Sequence, residues 1–181
     1  MLYISYGIHR RKRLNEAYNY CDAVLAQPRT KGGLWYDDGL SVWASNRYAA
    51  NAACIVATFA NFLTESDEKR KKYIDFVKSQ IDYILGDNPA GVNYVVGAED
   101  NSPKYITEVL KEFLILHIKE QNLILMYILY MELYQEALEY IDDRSNYQMN
   151  EVALDYNAGF TMCLTALVQF GLNVEDKGER A

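Results

Sequence analysis

From Arg47 onward the apolar positions fall at Tyr48, Ala49, Ala52, Ala53, Val56, Phe59, Ala60 and Leu63, a spacing of three and four that lines one face of a helix. Alanine fills much of that face, which predicts close approach to a neighbouring helix. Thr64 to Asp67 supplies cap and turn chemistry, and a second helix is predicted beyond it with Tyr73, Ile74, Val77, Ile81, Ile84 and Leu85 turned inward. Gly86, Asn88 and Pro89 stop that helix, and a loop with a short β-like stretch, Asn93-Tyr94-Val95-Val96-Gly97, follows. A last helix is expected from near Glu151 to about Phe170, ending at Gly171. It is apolar on most sides (Val152, Leu154, Phe160, Met162, Leu164, Leu167, Val168, Phe170), so it is expected to be buried between neighbours rather than to lie on a surface. Nearer the start, Arg11 to Ala26 reads as helix and Pro28 to Gly39 as a loop bearing Trp35, Tyr36, Asp37 and Asp38. Residues 173–181 form a charged tail expected to fray. The pattern predicts an all-α chain of antiparallel helices joined by long polar loops, and such loops are where a site is built.

Composition narrows the functional classes. A chain of 181 residues fits one domain or a piece of a larger one. A net charge of −7 argues against nucleic acid, whose binders need a basic surface to displace condensed counterions. The basic runs Arg10-Arg11-Lys12-Arg13 and Lys69-Arg70-Lys71-Lys72 read as solvated helix faces. No apolar run reaches the roughly 18 residues of a membrane span; Phe113 to Met131 is interrupted by His117, Lys119, Glu120, Gln121 and Asn122. No signal-peptide pattern opens the chain, since a charged block follows Ile8 where an apolar region should run. Cys21, Cys54 and Cys163 stand far apart among apolar neighbours with no C-x-x-C pair, so they read as buried structural thiols, with neither a metal nor another cofactor expected. The 16 Tyr and 2 Trp offer amphipathic rings that suit core edges and sugar-binding clefts alike.

The densest polar constellation runs from Tyr140 to Glu151, directly before the last helix. Its carboxylates could transfer protons if the fold sets them on either side of a substrate bond. A Glu at a helix N-terminus feels a positive dipole that lowers its pKa, whereas a general acid needs its pKa raised, so apolar cover or a second carboxylate would have to prevail. The alternative is that Asp142, Asp143 and Glu151 cap the helix and pair with Arg144.

Residues 140–158 carry Tyr140-x-Asp142, then Tyr147, Glu151-x-Ala153 and Asn157-Ala158, and this spacing resembles the C-terminal active-site signature of glycoside hydrolase family 9, the cellulase family. Three earlier stretches resemble the same family in the same order. Gly32-Gly33-Leu34-Trp35-Tyr36 leads into Trp43-Ala44-Ser45-Asn46-Arg47-Tyr48-Ala49-Ala50-Asn51-Ala52-Ala53. Gln80-Ile81-Asp82-Tyr83-Ile84-Leu85-Gly86-Asp87-Asn88-Pro89 follows, and then Asn93 to Gly97 with Asn101-Ser102-Pro103-Lys104. The resemblance implies an incomplete (α/α)6 barrel of C-terminal helices only, occupying residues 1–181. It also implies an extracellular endo-1,4-β-glucanase that hydrolyses internal bonds of cellulose or another β-1,4-glucan with inversion. In that scheme Glu151 protonates the leaving oxygen, Asp142 supports the acid and the cleft, and Trp35, Tyr36 and Tyr147 meet the sugar. No cofactor, nucleic acid or membrane is implied.

The chain also departs from the family. The N-terminal Asp motif that carries the base is absent, and Asp37, Asp38 and Asp87 do not match it. Where the family has His-His-Arg after Ser-Pro-Lys, this chain reads Ile106-Thr107-Glu108-Val109, and His117 fits no motif. Residues 106–142 include no Gly, Pro, Ser or Arg and, before Asp142, no Asp. Back-translated and read one nucleotide earlier, Tyr105–Lys111, Glu120–Tyr127 and Met131–Glu139 permit the family's strings in order, beginning with His-His-Arg-Gly-Ser. A frameshifted translation over about residues 106–140 is therefore expected. The competing functional reading is a non-catalytic, decayed carbohydrate-binding remnant that keeps Trp35, Tyr36, Tyr94 and Tyr147 as stacking platforms; a purely structural helical bundle is a third.

Overall fold

The alanine-rich face folds as predicted, into the middle of a packed helical array. A computed structural model describes residues 2–41, 45–96, 98, 100–103, 143, 145 and 154–172. These form four helices, α1 (Leu2–Ala26), α2 (Ser45–Phe62), α3 (Glu68–Ile84) and α4 (Leu154–Gln169), with no strand among the described residues. Ala49, Ala50, Ala53, Ala57 and Ala60 are all 2% exposed or less, so α2 offers its neighbours nearly bare backbone. Onto it pack Phe160, Cys163 and Leu167 of α4 and Tyr73, Val77, Ile81 and Ile84 of α3. Full burial of side chains such as Phe160 and Leu167 contributes roughly 1.5–3 kcal/mol each.

Helix ends follow the local chemistry. Asp67 caps α3, its carboxylate accepting from the Lys69 backbone N–H at 2.9 Å. At the other end Gly86 takes a φ of 114°, open to glycine at no steric cost, and the Gly86 and Asp87 N–H groups donate back to Tyr83 O and Asp82 O. α4 closes the same way, with Gly171 at φ 75° and donations from Gly171 to Val168 O and from Leu172 to Leu167 O. Both glycine stops were legible in the sequence.

The direction of each helix follows from its partners. α2 and α3 are antiparallel across the tight 63–67 connection. Arg47 meets Asp155, Asn51 faces Gly159 and Cys54 meets Met162, a constant offset along both chains, so α2 and α4 run parallel and in register. α1 runs with α3: Tyr18 donates to Asp67 at 2.5 Å, Asp22 takes Lys69 Nζ at 2.5 Å and the Tyr73 hydroxyl at 2.8 Å, and Arg29 lies over the Phe76 ring at 4.5 Å. The N-termini of α2 and α4 and the C-termini of α1 and α3 therefore share one end of the array.

Four expectations are amended. α1 begins at Leu2 rather than Arg11. The β-like stretch belongs to an irregular packed loop, in which Asn88, Tyr94 and Val95 hydrogen-bond to neighbouring backbone or side chains. α4 buries one face only, leaving Met162 and Val168 53% and 68% exposed, because α2 and α3 cover a single side of it. The second basic run is not wholly solvated: Lys69 pairs with Asp22, and Arg70 lies over the Phe170 ring at 5.2 Å. Residues 104–142, which hold the suspected frameshift, and the 173–181 tail lie outside the described residues, and among those described no helix is long and apolar enough to cross a membrane.

Candidate functional site

The loops after α1 and α3 that the sequence singled out open at the end where the α2 and α4 N-termini meet. The loop after α1 folds back on itself through Thr30 N–H to Leu34 O at 2.8 Å, Gly33 N–H to Thr30 O at 2.9 Å and Tyr36 N–H to Pro28 O at 3.1 Å. Its anchor is Gln80 of α3, fully buried, whose Oε1 accepts from the Trp35 N–H at 2.6 Å and whose Nε2 donates to Gly33 O at 3.3 Å. Gln80 stands on the inner face with Val77, Ile81 and Ile84, and a polar residue at an otherwise apolar helical position was the signal for this anchor. Gly32 must lack a side chain, since a β-carbon there would lie 2.6 Å from Pro89 Cδ and 3.1 Å from the Tyr83 ring.

The loop after α3 is organised by asparagine amides. Asn88 Nδ2 donates to Tyr83 O at 2.7 Å and Val92 O at 2.8 Å, and Asn101 Nδ2 donates to Gly91 O at 2.8 Å. Tyr94 is 1% exposed and stacks on Tyr83 with ring centroids 6.4 Å apart. Burial pushes the Tyr94 hydroxyl well above the ordinary tyrosine pKa, so it stays neutral.

Arg47 ties α2 to the start of α4. Its Nη1 donates to Asp155 Oδ2 at 2.9 Å and its Nη2 to the Tyr48 hydroxyl at 2.7 Å, while the guanidinium lies 4.4 Å from the Tyr48 ring centroid and 4.8 Å from that of Tyr156. An arginine held against two rings and hydrogen-bonded through both terminal nitrogens has little freedom to move. It therefore ties down the first turn of α4, which carries the end of the signature segment. The sequence contained Arg47 within a matched motif but gave it no role.

The predicted site residues divide sharply. Trp35 is 6% exposed and donates its indole N–H to Val24 O at 3.0 Å. Trp35 is thus a core side chain of this array, and Tyr94 is buried likewise. Tyr36 is half-buried on the same loop as Trp35. Asp37 is a turn former, its Oδ1 accepting from the Gly39 and Leu40 N–H groups at 2.9 and 3.1 Å. Asp143 does likewise with Ser145, whose backbone N–H and then hydroxyl hold the carboxyl below the usual range, so Asp143 stays ionised and unsuited to donating a proton at neutral pH. Glu151, Asp142 and Tyr147 lie outside the described residues. Among those described, no group of three or more His, Cys, Asp or Glu gathers to hold a metal ion.

Comparison with known proteins places this geometry in a family. The model of glycosyl hydrolase family 9 matches residues 5–164. The chain is similar to Endoglucanase A of Bacillus pumilus, 38% identical over 149 residues covering 77% of this chain and 21% of that protein. It is also similar to Endoglucanase B of Cellulomonas fimi, 36% identical over 134 residues covering 72% and 13%. Among solved structures, an endoglucanase from the termite Nasutitermes takasagoensis superposes with a TM-score of 0.64 at 30% identity, covering 87% of this chain and 37% of its own. Endoglucanase CelQ from Clostridium thermocellum, complexed with cellobiose and cellotriose, gives 0.60 at 28% identity, covering 85% and 26%. The chain thus spans about a fifth or less of these two curated relatives, and 37% and 26% of the two solved chains. With the family model running across α1, α2, α3 and most of α4, this all-α array is part of an (α/α)6 barrel and the chain belongs to glycosyl hydrolase family 9.

Proposed function

We propose that the chain is the C-terminal part of the catalytic domain of an endo-1,4-β-glucanase, a hydrolase of internal β-1,4-glucosidic bonds in cellulose acting with inversion. The observation that carries this is the parallel, in-register pairing of α2 with α4. It gathers the loops after α1 and α3 at one end of the array, and the signature segment runs in the chain into the Arg47-clamped start of α4. Glu151 is the general acid that protonates the leaving glycosidic oxygen. Asp142 supports it, and Tyr36 and Tyr147 contact the glucan. Inversion also needs a carboxylate on the opposite face of the sugar, about 6.5–9.5 Å from the acid so that water fits between. No base motif occurs within these 181 residues, and Asp37 is committed to its turn. The chain by itself is therefore inactive. Cellulose is insoluble and cannot enter a cell, so the working enzyme acts outside it.

The test is reducing-sugar release from carboxymethyl-cellulose. The full-length parent should lose activity on Glu151→Gln by about two to four orders of magnitude, the worth of a general acid, while its fold is unchanged. A parent that stays fast after that substitution removes Glu151 from the role. The remnant reading is weakened by the burial of Trp35 and Tyr94, two of its four platforms. It predicts glucan binding without turnover by the parent, so the same reducing-sugar assay separates the two readings.

A further inference from the structure

Three sulfur atoms meet on the face where α2 and α4 pack. Cys54 Sγ lies 3.4 Å from Met162 Sδ, and Cys163 Sγ donates to Ala50 O at 3.6 Å. Ala50 is one helical turn before Cys54, so the Cys163 sulfur sits in the same turn of α2 that carries Cys54. Met162, whose sulfur meets Cys54, is the residue directly before Cys163, so both thiols face the same stretch of the α2–α4 seam.

The backbones are also close enough. One turn earlier on α4 stands Gly159, where a β-carbon would lie 2.9 Å from Asn51 N and 3.0 Å from Ala50 C. The helices touch there through backbone, and the constant offset carries that approach along to Cys54 and Met162, the residue next to Cys163. A disulfide needs Cα atoms about 4.4–6.8 Å apart, closer than two helices separated by large side chains would allow.

We propose that Cys54 and Cys163 are a convertible thiol pair, a dithiol in this structure that closes to a disulfide by exchange with a low-molecular-weight disulfide such as oxidised glutathione. The two sulfurs differ in access and reactivity. Cys163 is fully buried, and its contact with Cys54 together with burial raises its pKa. Cys54 is half-buried, and the neighbouring Cys163 thiol, opposed by partial burial and helped by Thr58, lowers its pKa to about 7. The Cys54 thiolate therefore attacks the small disulfide first, forming a mixed disulfide and releasing one thiolate. Cys163 then gives up its proton, its sulfur bonds to that of Cys54, and the second small thiol leaves. Two protein thiols are oxidised and one small disulfide is reduced to two thiols. Cys21 is 1% exposed near the end of α1 and takes no part. The inference is independent of the glucanase reading.

The test is to incubate the intact 181-residue chain with oxidised glutathione, alkylate the remaining thiols, and map the cysteine peptides by mass spectrometry, beside a parallel sample in urea. In native buffer the free thiols should fall from three to one, with Cys54 joined to Cys163 and Cys21 alkylated. In urea the shorter loop should win, favouring Cys21–Cys54 over Cys54–Cys163 by roughly sixfold. Cys21→Ser should still lose both remaining thiols in native buffer. A native pattern matching the urea pattern, a Cys54 stalled as its glutathione adduct, or three thiols still free would each overturn the proposal.

Discussion

Gly159 is the residue on which the α2–α4 contact turns. Its replacement by Ala would gain about 1 kcal/mol of helix propensity. Against that, the new methyl would stand 2.9 Å from Asn51 N and 3.0 Å from Ala50 C, and backbone cannot step aside as a side chain can. Overpacking of this kind costs about 1–3 kcal/mol, so Gly159→Ala is expected to lower the urea midpoint; an unchanged or higher midpoint would show that the helices separate freely. Gln80 is the second such residue. Gln80→Leu keeps the volume but leaves the buried Trp35 N–H and the Gly33 carbonyl without their partner, a loss of about 1–3 kcal/mol. Equilibrium unfolding of this variant should show that loss, and a neutral result would mean that water reaches the loop after α1.

At the scale of the element, α1 is held to the α2–α3 turn by charge as well as by rings. Tyr18 meets Phe59 edge-on at 4.9 Å, and Phe59 meets Tyr73 at 6.0 Å. Asp22 is held below its ordinary pKa chiefly by the Lys69 ammonium, and Asp67 chiefly by the Tyr18 hydroxyl. Carboxylates depressed in the folded state add stability that is complete above the unfolded value near about 4 and is lost as pH falls through the folded values. Thermal midpoints should therefore drop steadily below about pH 4. The Asp22→Asn, Asp67→Asn double variant should start lower at neutral pH and fall less on acidification. Parallel acid limbs for the two proteins would assign the acid sensitivity elsewhere. Both carboxylates are substantially solvated, so the effect is a slope and not a collapse.

For the whole molecule the decisive quantity is apolar surface left in water. Ile55, Phe62, Met162 and Val168 are between 49% and 80% exposed on α2 and α4, the helices that form the centre of the array. Each large apolar side chain left in water forgoes roughly 1.5–3 kcal/mol, against a net stability of about 5–15 kcal/mol for a whole domain. The isolated chain is expected to self-associate in a concentration-dependent way by light scattering, and Phe62→Ser with Val168→Ser should reduce that without lowering the unfolding midpoint. Scattering indifferent to both changes would place the sticky surface elsewhere. The same incompleteness underlies the expected absence of turnover on carboxymethyl-cellulose; hydrolysis by these 181 residues that Glu151→Gln abolished would contradict it.

What the sequence determined by itself was local. The period of three and four at Ala49–Leu63, the Asp67 cap and the glycine stops at Gly86 and Gly171 are set by neighbours in the chain, so the spacing of residue types reveals them. Matched strings such as Ser45–Ala53 and Gln80–Pro89 pointed to the family for the same reason, being short and contiguous. Contacts between distant segments were not readable there. Trp35 looked like a sugar platform because a loop aromatic is compatible with either side of a surface, and only the packing of Gln80 and Val24 around it decided for the core. Cys54 and Cys163 looked unrelated for want of a sequence rule, since their meeting depends on a helix offset fixed by Gly159 and Arg47. Tertiary structure alone chose which side chains share a face of space, because burial and proximity across helices are set by how the whole array closes on itself.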